Sequence, residues 1–76
     1  MNKIRRNKLS KIKNEMEEII TRMNEIENEE QEARDNLPES LQESERACDM
    51  DEKIESIEEI ISNIEDVVLA LDDIIA

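Results

Sequence analysis

The sequence predicts an all-α fold, an antiparallel two-helix coiled-coil hairpin that assembles into a helical bundle, as a dimer or higher oligomer. Three observations predict it. The 76-residue chain is 42% charged and has no aromatic residue, glycine or histidine, a composition typical of a helical rod. Two long segments carry apolar residues at alternating spacings of three and four. The one proline lies between them, so the chain forms one hairpin domain.

The first apolar segment predicts helix 1 over about residues 3–36. Its apolar positions form a heptad seam, with the series from Leu9 at position a and the series from Ile12 at position d. The seam comprises Leu9, Ile12, Met16, Ile19, Met23, Ile26, Glu30, Ala33 and Leu37. We interpret Glu30, its polar member, as a residue that sets register and partner choice. Ile20 adds an apolar residue at the neighbouring position e.

The segment between the seams, about residues 36–41, predicts a turn. Proline is tolerated in the first turn of a helix and disfavoured inside one. We therefore expect helix 1 to end near Asn36 and helix 2 to start near Pro38. Asn36 with Glu39 forms a variant of the capping box. Ser40 offers a competing N-cap, which leaves the start open over a few residues.

The second apolar segment predicts helix 2 over about residues 38–75. Its seam has Ala47 at position a and Met50 at position d, and it comprises Ala47, Met50, Ile54, Ile57, Ile61, Ile64, Val68, Leu71 and Ile75. In an antiparallel pair, a positions of one helix layer with d positions of the other. This condition is met when paired residue numbers sum to 80, which predicts a fold-back at Ser40.

Helix 2 carries further apolar residues that a single hairpin leaves uncovered. Ile60, Val67 and Ile74 recur at position g. A two-helix unit has a small core, and small cores generally need help from oligomerisation. We expect self-association through the C-terminal half of helix 2, so that a dimer of hairpins makes a four-helix bundle. The residues expected to carry it are Ile60, Val67, Leu71, Ile74 and Ile75.

Charge is divided unevenly along the chain. Residues 1–13 carry six bases and no acid, whereas the other 63 residues carry all 22 acids and four bases, for a net charge of −12. Because the hairpin brings the basic segment beside acids of helix 2, the bases can pair across the arms. The alternative is an anionic, phosphorylated ligand, for which the candidate contacts are Lys3, Arg5, Arg6, Lys8 and Arg46.

The acidic surface also has two interpretations. It is either a solvated helix face or a rigid acidic rod that occupies a basic groove on another protein, with electrostatic steering of the encounter. Binding to nucleic acid is disfavoured because the acidic body repels a polyanion and no aromatic side chain is present to stack bases. The same repulsion disfavours anionic membranes.

No enzyme activity, cofactor or metal site is expected. The chain has no histidine, so Cys48 lacks the usual base that would activate it as a nucleophile, and the Glu-x-x-His metal motif of helical bundles is absent. The longest apolar run, residues 67–71, is too short to span a bilayer. No apolar signal core follows the basic N-terminal residues, so we expect a cytoplasmic location.

The segment from Asp35 to Arg46, with sequence DNLPESLQESER, resembles a segment of small, mostly uncharacterised helical proteins of bacteriophages and mobile elements. In those proteins, as here, Ile and Glu repeats follow. The family's pattern has a glycine after the arginine, whereas this chain has Ala47, which favours continuous helix. The resemblance implies a phage accessory protein that acts in the host cytoplasm, on host defence or host machinery. It implies no catalytic residue.

Two functions follow as hypotheses. The first is an oligomeric interaction protein that binds a host or phage protein through its acidic faces or its polar tip, residues Asn36, Pro38, Glu39 and Ser40. The second is a protein that sequesters a phosphorylated signal nucleotide between subunits. The absence of aromatic side chains favours the first. A purely structural role as an assembly spacer is a third alternative.

Overall fold

The computed structural model describes all 76 residues and is a helical hairpin. Helix α1 spans Lys3–Asp35, a 3-10 turn spans Glu39–Leu41, and helix α2 spans Glu45–Ile75. The two α-helices pack against each other along a rod whose extents are 60 × 15 × 12 Å. The predicted all-α two-helix hairpin is confirmed, and α1 ends within one residue of the predicted position.

Both ends of α1 are capped by asparagine. The side chain of Asn2 accepts a hydrogen bond from the backbone N–H of Arg5 at 2.9 Å, which satisfies one of the free donors in the first turn. At the other end, the backbone N–H of Asn36 donates to the carbonyl of Glu32 at 3.0 Å. Asn36 therefore closes α1, and the prediction that it caps helix 2 is wrong.

The predicted start of helix 2 near Pro38 is also wrong, because α2 begins at Glu45. Pro38 instead begins the 3-10 turn, in which its carbonyl accepts from the N–H of Leu41 at 2.8 Å. The N-cap of α2 is Ser44, whose hydroxyl accepts from the N–H of Ala47 at 3.3 Å. Ser40 makes no capping hydrogen bond. The connection thus runs over residues 36–44 rather than 36–41.

The seam of α2 matches the prediction. Its a series is buried against α1 and consists of Ala47, Ile54, Ile61 and Val68. The rest of the seam is half-buried and consists of Met50, Ile57, Ile64, Leu71 and Ile75. These nine side chains line the contact with α1, and no residue of α1 is buried as deeply as the first four. The core is therefore a single stripe of α2 covered by a thinner stripe of α1.

The seam of α1 differs from the prediction. Its d series lies exposed, with Ile12, Ile19 and Ile26 retaining 39–54% of their surface. Apart from Ser10, the half-buried residues of α1 occupy positions a and e, and they are Leu9, Lys13, Met16, Ile20, Met23, Glu27, Glu30 and Arg34; Leu37 continues the a series into the connection. The a series belongs to both the predicted seam and the observed one. The difference is a rotation of α1 about its own axis, which places position e, instead of position d, against α2.

The register differs for the same reason. Two ion pairs join the arms, Lys13 with Asp72 and Arg34 with Asp51, and in both the residue numbers sum to 85. The seam residues are then level when their numbers sum to 84, as for Met23 and Ile61. The predicted sum of 80 was short by about one helical turn. The longer connection moves the fold-back from Ser40 to Gln42 and shifts the whole of α2 along α1.

Candidate interaction surfaces

One side of the hairpin seam is polar and carries the contacts between charged groups. Near its open end, where the chain termini lie, Lys13 Nζ lies 2.5 Å from Asp72 Oδ1 and 3.7 Å from Glu17 Oε1. The hydrogen bond to Asp72 is the main reason that the pKa of Lys13 lies above its ordinary value. Pairing of the basic segment with acids of α2 is therefore present at Lys13. The other five bases of that segment form no ion pair within the chain.

Midway along the same side, two acids meet. Glu27 of α1 faces Glu58 of α2, and hydrogen bonding with the Glu58 carboxyl group is the main reason that the pKa of Glu27 lies above its ordinary value. Two carboxylates in contact favour a state in which one of them keeps a proton. The structure thus places a proton-dependent contact in the centre of the polar side.

Near the tip, Arg34 links α1, the connection and α2. Its Nε lies 3.0 Å from Asp51 Oδ1, and Nη2 lies 3.0 Å from the backbone carbonyl of Gln42. Nη1 donates to the side-chain oxygen of Gln42. The side-chain amide of Gln42 in turn donates to the carbonyl of Leu37 at 2.6 Å. The guanidinium is 17% exposed, so these bonds hold the connection in one conformation.

The opposite side of the seam is apolar. Two series of aliphatic residues, each spaced by seven, remain 39–54% exposed there. We define the aliphatic face as these six side chains, Ile12, Ile19 and Ile26 of α1 with Ile60, Val67 and Ile74 of α2. A contiguous exposed apolar surface of this kind marks an interaction site, whereas single exposed residues such as Leu69 are ordinary.

Helix geometry places both series on one side. An α-helix turns about 100° per residue. On α1, Ile12 and Ile26 each precede a residue of the polar side, Lys13 and Glu27, so they lie across the seam from it. In an antiparallel pair the g positions of α2 flank the same edge of the seam. The residues of the two series also pair regularly along the rod. The residue numbers sum to 86 in each pair, Ile12 with Ile74, Ile19 with Val67 and Ile26 with Ile60. A sum of 86 lies two residues from the level sum of 84, or about 3 Å along the rod, so the face has three evenly spaced rungs with the same small offset.

The residues expected to carry self-association divide between two places. Ile60, Val67 and Ile74 lie on the aliphatic face, but Leu71 and Ile75 are half-buried in the seam with α1. Sequence reasoning identified the α2 half of the face. It missed the α1 half, because Ile12, Ile19 and Ile26 were assigned to the seam. The observed packing had one signal in the sequence. It is a neighbouring series at position e, also spaced by seven, which consists of Lys13, Ile20, Glu27 and Arg34.

The outer side of α2 is acidic. Five exposed carboxylates recur every seven residues on the side that faces away from α1. We define this acidic ridge as Glu45, Glu52, Glu59, Asp66 and Asp73. It extends over about 42 Å at 1.5 Å per residue. The ridge offers a rigid, evenly spaced line of negative charge.

The candidate ligand contacts are separated. Lys3, Arg5, Arg6 and Lys8 lie at the open end of the rod, whereas Arg46 lies in the first turn of α2 beside the connection. A rod 60 Å long separates these ends, so one chain does not bring Arg46 to the other four bases. The tip residues Asn36, Pro38, Glu39 and Ser40 are together in the connection.

The remaining surface features are shallow. The one surface depression is an open polar groove on α1, lined by Lys11, Asn14, Glu15, Glu17, Glu18 and Thr21. No charged side chain is buried, and no three potential metal ligands come together. Neither helix is apolar over a length that could cross a membrane.

Comparison with known proteins found no match to this chain among family models, curated proteins or solved structures.

Proposed function

We propose that this chain is a non-enzymatic interaction protein that works as an oligomer of hairpins and binds a protein partner through its acidic outer surface. The observation that carries the proposal is the aliphatic face, in which both arms expose a matched series of large apolar side chains. The hairpin buries only four residues. A second hairpin placed on the aliphatic face would add six more side chains to the core of each chain.

The energetics favour self-association as the use of this face. Covering a half-exposed Ile or Val contributes about 1 kcal/mol. An exposed ion pair contributes about 0–1 kcal/mol. Six aliphatic side chains per chain therefore outweigh the few ion pairs that could form around them. The apolar contact drives association, and the charges around it select orientation and partner.

The acidic ridge supports binding to a basic surface of a host or phage protein. Its five carboxylates remain exposed when the aliphatic face is covered, because they face away from α1 on the outer side of α2. A charged rod of this kind raises the association rate with an oppositely charged groove. The resemblance of residues 35–46 to small phage proteins supports a host-directed role, in which the oligomer counters host defence.

Self-association is tested by analytical ultracentrifugation of the full chain over a range of concentrations. We expect an oligomer that becomes monomeric in the variant Ile19→Lys/Val67→Lys. The control is Leu69→Lys, which changes a similarly exposed apolar residue outside the aliphatic face and should leave the oligomer intact. A wild-type chain that stays monomeric throughout would refute the proposal.

Partner binding is tested by affinity capture from infected and uninfected lysates. The wild type is compared with Glu52→Gln/Glu59→Gln/Asp66→Asn, which neutralises the middle of the acidic ridge. The matched control, Glu18→Gln/Glu25→Gln/Glu32→Gln, neutralises three exposed acids of α1. A specific basic partner should be lost with the first variant and kept with the second. Equal retention by both variants would exclude the ridge as the binding surface.

A further inference from the structure

We infer that the partner on the aliphatic face is a second copy of this chain in antiparallel orientation, with its tip at the open end of the first. This inference rests on the proposed self-association and adds its geometry. The two-fold axis lies in the interface, perpendicular to the rod, and runs along the middle rung from Ile19 to Val67. Each arm then packs on the same arm of the partner, α1 on α1 and α2 on α2.

The spacing of the rungs permits this arrangement. On each arm the three aliphatic residues are spaced by seven, so the series is symmetric about its middle member. Rotation about an axis at Ile19 brings Ile12 opposite the partner's Ile26. Because Ile19 and Val67 differ in height by only about 3 Å, the same axis also brings Ile60 opposite the partner's Ile74. One axis therefore serves both arms, as an isologous interface requires.

The spacing also permits a parallel dimer, in which α1 packs on the partner's α2, but the distribution of charge disfavours it. The open half of the hairpin, residues 1–19 and 65–76, carries six bases and seven acids. The tip half, residues 20–64, carries four bases and 15 acids. The side chains of the halves thus carry −1 and −11. A parallel dimer places the two −11 halves side by side. An antiparallel dimer sets each of them against a nearly neutral half, and the centres of the two −11 halves then lie about 30 Å apart, half the 60 Å rod and more than a Debye length of about 8 Å.

A second charge pattern points to the same orientation. The α1 series of aliphatic residues is bordered by exposed residues spaced by seven that alternate in sign, three of which lie four positions before Ile12, Ile19 and Ile26 and the fourth of which continues the series. These border residues are Lys8, Glu15, Arg22 and Glu29. In the antiparallel dimer, facing border positions on α1 have residue numbers that sum to 37. Lys8 then faces the partner's Glu29, and Glu15 faces the partner's Arg22, so every border pair is of opposite sign.

The parallel dimer leaves this alternation unused. There the α1 border would face the border of the partner's α2, the residues four positions before Ile60, Val67 and Ile74. Those residues are uncharged, namely Ser56, Asn63 and Ala70. In the antiparallel dimer they face one another, and their small size allows the two α2 helices to approach closely.

The orientation is tested by cross-linking single-cysteine variants of the full chain with a short bismaleimide, in a Cys48→Ser background. Ile19→Cys should cross-link to itself with high yield. Ile12→Cys and Ile26→Cys should each fail alone and cross-link to each other when mixed. If Ile19→Cys instead cross-links only to Val67→Cys between chains, the orientation is parallel and the inference fails while self-association stands. Ultracentrifugation of the same variants identifies a monomer, which would overturn both.

A charge exchange tests the border pairs. Glu15→Arg should weaken the dimer by about tenfold, because it replaces two attractive pairs with two repulsive ones. The control Glu25→Arg makes the same change of net charge at an exposed residue outside the border and should strengthen the dimer slightly. The double exchange Glu15→Arg/Arg22→Glu should restore wild-type affinity. A Glu15→Arg variant that behaves like Glu25→Arg, or a double exchange without recovery, would overturn the border pairing.

Discussion

The guanidinium of Arg34 lies 3.0 Å from the carboxylate of Asp51 and also donates hydrogen bonds to the side-chain oxygen and the backbone carbonyl of Gln42. This contact spans 17 residues of sequence and ties the last turn of α1 to the second turn of α2. It fixes the register of α2 along α1. This register places the e flank of α1 against the buried stripe of α2. The exposed aliphatic face is a consequence of that register.

Removal of Arg34 should destabilise the hairpin. Hydrogen bonds to charged groups contribute about 1.5–3 kcal/mol, and the side chain is 17% exposed. We expect Arg34→Ala to lower the free energy of unfolding by about 1–3 kcal/mol, measured by urea denaturation followed by circular dichroism at one protein concentration. The control is Lys53→Ala, which removes a fully solvated pair with Asp49 at 3.8 Å and should have little effect. Equal effects of the two variants would mean that the tip contact is not stabilising.

Two adjacent residues of α2 should have separate roles. Ile61 is 6% exposed in the core, and Ile60 is 47% exposed on the aliphatic face. Ile61→Ala should cost about 2–4 kcal/mol of stability at every protein concentration. Ile60→Ala should mainly reduce the dependence of the thermal midpoint on concentration, because it removes surface from the interface between hairpins. Indistinguishable melting curves for the two variants would contradict this division.

The start of α2 can be tested with two serines. Ser44 caps α2, so Ser44→Ala should cost about 1 kcal/mol. Ser40 makes no capping bond in the 3-10 turn, and Ser40→Ala should leave stability unchanged within error. Thermal unfolding of the two variants under identical conditions measures the difference. A larger loss for Ser40→Ala would place the helix start nearer to Pro38.

The contact between Glu27 and Glu58 should make stability depend on pH. The folded-state pKa of Glu27 is raised above its ordinary value of 4.5, so the native state binds this proton more tightly than the unfolded state. The contact is therefore unfavourable at neutral pH, and the penalty disappears as pH falls towards 4.5. We expect Glu27→Gln to be more stable than wild type at pH 7, with a flatter dependence between pH 7 and 4.5.

The matched control for this prediction is Glu25→Gln, which removes the same charge from an exposed position. Both variants reduce the net negative charge equally, so a general charge effect would stabilise both by the same amount. Only Glu27→Gln should change the shape of the pH profile. Parallel profiles for the two variants would show that Glu58 does not raise the pKa of Glu27.

The fold class could be predicted from sequence because it depends on local patterns. Alternating spacings of three and four place apolar residues on one side of a helix whatever the partner is, and Pro38 stops a helix on steric grounds alone. The buried series Ala47, Ile54, Ile61 and Val68 followed from the same spacing. The start of α2 did not, because Asn36, Ser40 and Ser44 all have side chains suited to capping and only the path of the connection selects Ser44.

The arrangement of α1 was decided by tertiary contacts. Its a series can be flanked by Ile12, Ile19 and Ile26 on one side or by Lys13, Ile20, Glu27 and Arg34 on the other, and apolar content favours the first. The structure has the second, and in this arrangement Arg34 reaches Asp51 and Gln42. The sequence by itself therefore determined two helices, a turn and an acidic body. The tertiary structure decided which stripe of α1 would be left exposed for another chain, since the register depends on contacts between residues distant in sequence.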